Sequence, residues 1–183
     1  MSDTADRYRK VAAGFTDRVA GVPPDAWDNP TPCDAWVARD VVGHVVEVAG
    51  SFLSRTTAAA PSRPSVEEDP LGAWTRVRDA IQAALEDPKI AAQSTETPLG
   101  PSTFEQTIGM FGIGDTLIHT WDLARGTGQD ESLDPGEVSR MLARLQQFDD
   151  SVIRQSGAFG PAVDVPMDAD EQTRLVAFTG RCP

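Results

Sequence analysis

The chain has 183 residues, 40% of them hydrophobic and 24% charged, with 28 Asp plus Glu against 16 Lys plus Arg and a net charge of −12. That length and apolar content suit one domain able to bury roughly 70% of its unfolded surface without disulfides, and they exclude wholesale disorder. The acid excess, with Arg and Lys scattered, argues against a nucleic-acid partner, and the absence of any apolar run near ~20 residues or of an apolar leader core in MSDTADRYRK predicts a cytoplasmic protein with no membrane partner.

The first predicted element is a helix from Asp3 to Ala20, where Tyr8, Val11, Ala12, Phe15 and Val19 recur on one face. Between Gly21 and Asp34, the prolines at 23, 24, 30 and 32 remove backbone donors and bias the residues before them away from helix, which predicts a loop. A second helix is expected from Ala35 to Thr57, with Val37, Val41, His44, Val45, Val48 and Phe52 turned inward. Ser65 and Glu68 read as the capping box of a third, which carries Trp74, Val77, Ile81 and Leu85 and stops at Pro88. Turn residues between Lys89 and Ser102 predict an extended or irregular crossover. Ser102 and Glu105 then cap a fourth helix from Thr103 to Arg125, whose inner stripe is Phe104, Ile108, Phe111, Asp115, Ile118, His119 and Asp122 and whose end suits Gly126 and Gly128. Asp134, Pro135 and Glu137 take the N-cap, N1 and N3 positions of a fifth helix reaching Gln155, with Val138, Met141, Leu142, Leu145 and Phe148 inside. A Gly/Pro-rich loop and a short helix near Ala169 to Phe178 complete the chain. Trp36, Trp74 and Trp121 read as core residues. The helical period runs throughout, so the expected fold class is all-α, in a single domain over 1–183.

Both histidines of the chain fall on inward stripes. Asp115 precedes His119 by four residues, which stacks the two side chains one turn apart on one helical face, within reach of a common atom. If the second and fourth helices pack side by side, His44 adds a third ligand across the seam, as bundle metal sites are commonly assembled. Two imidazoles and a carboxylate leave coordination positions open, the usual arrangement for catalytic rather than structural zinc. A divalent cation would also offset the several kcal/mol, in order of magnitude, that an unpaired buried carboxylate costs. Asp122 and Glu47, each three residues beyond a histidine, are candidate acceptors for the outer N–H of the imidazoles. Arg125 could pair with a carboxylate of substrate or cofactor, or serve as a helix-end cation. Cys33 lies about 16 Å from His44 if the helix is continuous between them, too far for a fourth ligand, and Cys33 and Cys182 are expected to remain reduced thiols. Taken singly, each histidine reads more readily as a hydrogen-bonded core residue than as a ligand; the joint pattern carries the metal reading.

The segments PTPCDAWVARDVVGHVV, DTLIHTWDLARGTGQ and LVAFTGRCP, in that order, resemble the N-terminal-domain family of mycothiol-dependent maleylpyruvate isomerase, within the DinB-like superfamily. The likeness spans nearly the whole chain and is greatest to a subgroup of short, stand-alone metal-binding proteins ending in TGR-x-P. The resemblance implies a four-helix bundle with a long crossover and additional C-terminal helices. It also implies a metal held by a histidine of the second helix and by an acidic residue and a histidine one turn apart on a later one, which fall on His44, Asp115 and His119. One departure is the acidic position, glutamate in the isomerase pattern and Asp115 here, shorter by one methylene; closer helices, aided by Gly112 and Gly114, or a water would make up the reach.

The resemblance further implies mycothiol or another low-molecular-weight thiol as cosubstrate. The function expected is thiol transfer or isomerisation, in which the metal, expected to be Zn²⁺, lowers the pKa of the cofactor thiol for attack on a small electrophile. The partners are then a small-molecule thiol and an electrophile, with the protein a monomer or a homodimer. Metal binding without turnover, a metal-dependent hydrolase and a plain helical interaction module are the competing readings.

Overall fold

A computed structural model of the chain describes residues 2–58, 61–97, 100–155 and 157–183, which fall into two compact units, Met1–Glu131 and Ser132–Pro183. In the first, the helices are α1 (Asp3–Ala20), α2 (Ala38–Leu53), α3 (Pro70–Glu86), the single turn α4 (Pro88–Ala91), the turn α5 (Phe104–Thr107) and α6 (Ile113–Thr127). A π-helical turn, Ile108–Gly112, joins α5 to α6. The fold class is all-α; the strands among the described residues are those of a small antiparallel hairpin, β1 (Ser94–Thr97) with β2 (Gly100–Thr103), inside the expected crossover, and an isolated antiparallel bridge joins Pro30 and Val37. Pro98 and Leu99 of that crossover lie outside the described residues.

Each of α1 and α2 packs against both α3 and α6, so the order round the bundle is α1–α3–α2–α6. Consecutive long helices α1 and α2 therefore stand on a diagonal, as do α3 and α6, and each diagonal is crossed by a long connection, 21–37 and 87–112. The core between them is formed by the apolar stripes of α1, α2 and α3, with Phe15, Val41, Val45, Trp74 and Ile81 each at most 1% exposed. Burying one such side chain contributes roughly 1.5–3 kcal/mol. Phe15 and Trp74 meet edge to face at 4.9 Å, and the Trp74 indole N–H donates to Thr16 Oγ1 at 2.9 Å, which satisfies its one polar atom. No described helix is long and apolar enough to cross a membrane.

Several boundaries differ from the sequence expectation for identifiable reasons. Ser65 Oγ accepts from Glu68 N at 3.2 Å, the first bond of a capping box, and donates to Glu68 Oε2 at 3.0 Å, but both lie within a separate turn. α3 starts later because Asp69 accepts from Gly72 N at 2.8 Å and Pro70 takes N1. On the α5–α6 run the cap is Thr103 with Gln106, and the wide π turn slips the inward stripe. Phe111 is consequently only half-buried, while Gly112 and Ile113 take the inside.

The second unit contains α7 (Pro135–Leu145), α8 (Asp150–Gln155) and α9 (Glu171–Phe178), with α7 packed on α9. Asp134 and Asp170 cap α7 and α9 through Glu137 N and Thr173 N, at 2.9 and 2.7 Å. The helix expected to run to Gln155 breaks after Leu145, and Phe148, expected inside, is 39% exposed in the break. After α9, Gly180 turns with φ 89° against Gly160; a Cβ there would come within 2.8 Å of the Gly160 Cα, so the turn admits only glycine.

Candidate metal centre

α2 and α6 lie side by side, and their facing stripes bring His44, Asp115 and His119 together. Asp115 Oδ1 is 3.2 Å from His44 Nε2 and 3.7 Å from His119 Nε2, and the three ligand-type atoms all lie within 4.8 Å of one another. The short aspartate arm reaches both rings because α2 and α6 sit close. At Gly112, one turn before Asp115, an added Cβ would stand 3.5 Å from Phe52 of α2. The imidazoles meet edge to face at 4.7 Å between centroids.

His119 is oriented from behind. Its Nδ1 is 2.9 Å from Asp122 Oδ2, and Asp122 is fully buried. A carboxylate can only accept, so Nδ1 donates and the Nε2 lone pair is left facing Asp115 and His44. Glu47, expected to play the same part for His44, is exposed, and no hydrogen bond joins it to the imidazole in the described structure. The interval is the same as that from His119 to Asp122, so it is the outward, solvent-facing position of Glu47 on α2, and not the spacing, that separates the two cases.

The same carboxylate oxygen of Asp122 accepts from Cys33 Sγ at 3.2 Å, and that sulfur is 4.0 Å from His119 Nδ1. The expectation of a 16 Å separation assumed continuous helix from Cys33 to His44, whereas α2 begins only at Ala38 and the preceding residues fold back over the site. Trp36 N donates to Cys33 O at 3.0 Å, closing a turn with Ala35 at φ 63°, a left-handed position that costs a non-glycine residue energy. Thr31 pins the turn from outside, its N and Oγ1 both donating to Trp36 O at 3.0 Å and its Oγ1 accepting from Cys33 N at 3.3 Å. Gly126 lets α6 approach this segment, since a Cβ there would lie 2.9 Å from Thr31 Cγ2 and 3.1 Å from Pro30 O.

Trp36, expected in the core with Trp74 and Trp121, is instead half-buried, with its ring 4.8 Å from His44 and 5.8 Å from His119. Trp74 and Trp121 are buried as expected. Arg125, at the end of α6, pairs with Glu131 at 2.9 Å and stacks over Trp121 at 4.8 Å, the helix-end alternative of its two readings. Cys33 and Cys182 are both thiols.

Residues 8–124 match the model of the mycothiol maleylpyruvate isomerase N-terminal domain. The chain belongs to that family. It is also 30% identical over 176 residues to two proteins of Mycobacterium tuberculosis, the uncharacterized protein MT0763 of strain CDC 1551 and the uncharacterized protein Rv0738 of strain H37Rv, with 95% of this chain and 95% of each relative covered. No solved structure matches. The family match contains Cys33, Trp36 and the His44–Asp115–His119 cluster within one continuous stretch of the chain. Sequence reasoning set Cys33 too far from the site and Trp36 in the core; the signal available was a proline-flanked thiol and indole immediately before a histidine-bearing helix.

Proposed function

We propose that this member of the mycothiol maleylpyruvate isomerase N-terminal domain family is a divalent-metal protein, with Zn²⁺ held by His44, Asp115 and His119, that transfers or isomerises by way of mycothiol or a related small thiol. The observation that carries it is the convergence of two imidazole Nε2 atoms on one carboxylate oxygen, at 3.2 and 3.7 Å, with the outer nitrogen of His119 already held by a buried carboxylate. This donor set fits Zn²⁺: nitrogen and oxygen ligands, three in number, so a coordination position is left for a small molecule. A bound Zn²⁺ supplies Lewis acidity that lowers the pKa of a thiol and makes it nucleophilic near neutral pH.

The chain's own residues prepare the site for that chemistry. Asp122 keeps the proton on His119 Nδ1 and so fixes which tautomer faces the cluster. Trp36 covers one side of both imidazoles and limits water access to them. Asp115 brings a negative charge to a place only 23% exposed, a charge that a divalent cation neutralises.

Elemental analysis of the purified, tag-free chain tests the first half of the reading. About one divalent metal per chain, lost in both His44→Ala and His119→Ala, is the expected result. Incubation with mycothiol and a panel of electrophiles tests the second half, with conjugation or isomerisation expected above the level of His44→Ala. Absence of metal after reconstitution with Zn²⁺, Ni²⁺, Mn²⁺ and Fe²⁺ would refute the site. Metal uptake without any thiol-dependent product would refute the activity.

A further inference from the structure

A crevice lies beside Asp115 between the helices, about 220 Å³ with the open solvent at its mouth included, walled by Tyr8 of α1, Val45 and Phe52 of α2, Ile81 of α3 and Ile108 of the π turn. Its enclosed part has room for a single group the size of a water molecule, a methyl or a carbonyl oxygen. None of the residues lining it is a lysine or an arginine. Thr116, its other hydroxyl-bearing wall residue, already donates to Gly112 O at 2.9 Å.

Tyr8 is different. It is 2% exposed and its hydroxyl has no hydrogen-bond partner among the described residues. Buried hydroxyls are seldom left unsatisfied, because the lost hydration is not replaced. Burial raises the phenol's pKa far above its ordinary range, so the group offers a proton at every physiological pH.

Building on the thiol-transfer reading above, we infer that this crevice receives the uncharged carbonyl end of the electrophile, its oxygen taken by the Tyr8 hydroxyl, and that the substrate class is a small α,β-unsaturated ketone or aldehyde. The apolar walls accept the terminal methyl or hydrogen of such a group. They give no counter-charge to the carboxylates of a di-acid such as the maleylpyruvate of the family's name. In the addition, the thiol sulfur bonds to the β-carbon, the C=C π pair passes to the carbonyl oxygen as an enolate, and the thiol proton ends on the α-carbon. No oxidant or reductant is consumed. Tyr8 acts as a donor to the oxygen on which charge develops.

The test uses 2-butanone, an unreactive saturated analogue, and maleate as the charged probe, with ligand-observed NMR on the full chain before and after chelation. The expected result is a 2-butanone signal with the wild-type chain that falls at least fivefold in Tyr8→Phe. It is equally lost in Ala49→Leu, which fills the crevice from α2 and leaves the hydroxyl in place. Tyr8→Phe removes only an unpartnered hydroxyl, so its melting temperature stays at or above the wild-type value. Full 2-butanone binding by both variants, or displacement of 2-butanone by maleate in the chelated protein, would overturn the inference. Since this binding needs neither metal nor thiol, its retention in His44→Ala supports the crevice assignment even where metal or product assays fail. Failure of those assays bears on the thiol-transfer reading alone.

Discussion

Asp122→Asn changes neither the volume nor the position of the side chain, but it replaces an acceptor-only group by an amide that can also donate. In the wild-type chain both Cys33 Sγ–H and His119 Nδ1–H point at the same oxygen, at 3.2 and 2.9 Å. An asparagine can satisfy His119 by offering its own N–H to Nδ1, which moves the imidazole proton to Nε2 and removes the lone pair from the cluster. Loss of such a supporting carboxylate typically lowers metal affinity 10- to 100-fold, or about 1.4–2.8 kcal/mol. At a free metal concentration of ~100 Kd, binding stabilises the wild-type fold by about 2.7 kcal/mol, and the same concentration leaves the variant about 1.4 to 0.4 kcal/mol. Competition with a chromogenic chelator reads the affinity directly, and the metal-induced rise in melting temperature reads it a second way. An affinity within threefold of wild type, with the apo-protein melting normally, would refute the claim that Asp122 sets the tautomer of His119.

Three further outcomes follow from the loop over the site and from the caps. Ala35→Gly relieves a left-handed turn position at φ 63°; set against the greater chain entropy of glycine, the net gain is about 0.5–1 kcal/mol, seen as a melting-temperature rise of about 1–4 °C by calorimetry. Gly126→Ala forces the new methyl against Thr31 and Pro30; it is expected to loosen the segment carrying Cys33, so that Cys33 in a Cys182→Ser background is alkylated faster than in the parent. Asp170 accepts the backbone N–H of Thr173, and this hydrogen bond holds its carboxyl below the usual range. The stabilisation is therefore complete above the ordinary carboxylate pKa of about 4 and is lost as pH falls through the lowered value. Melting curves of wild type and Asp170→Ala should converge in acid and separate toward neutrality.

How legible all this was depended on whether the signal was local. The α1 boundaries agree with the sequence reading at Asp3 and Ala20 because apolar period, Ser2 cap and the prolines after Gly21 all agree. The pairing of His44 with the Asp115–His119 turn was readable because helical spacing sets which residues share a face and long amphipathic helices bury that face against one another. Cys33 and Trp36 were misplaced for the complementary reason. Their positions are set by a turn at Ala35, a residue with no intrinsic preference for left-handed backbone, held by hydrogen bonds to Thr31 and by the approach of Gly126, far away in sequence. The π turn at Ile108–Gly112 was equally hidden, since a one-residue slip leaves both halves of the stripe locally helical. Tyr8 was read as one more apolar contact, and nothing in periodicity distinguishes a hydroxyl that lacks a partner.

The placing of α1 and α2, and of α3 and α6, on diagonals has a consequence for the order in which the chain acquires its structure. Asp115 and His119 are neighbours within one helical turn, while His44 meets Asp115 from 71 residues away. The pair on α6 can grip an ion as soon as that single turn winds, at the small entropic expense of a local contact. His44 joins them only after the connections 54–69 and 87–112 have closed and the α2–α6 seam has assembled. On the proposed metal reading, a two-ligand grip in the nascent chain and a three-ligand grip in the finished bundle differ in strength, so a divalent ion present during refolding would act first as a nucleus for α6 and last as a latch on the whole bundle.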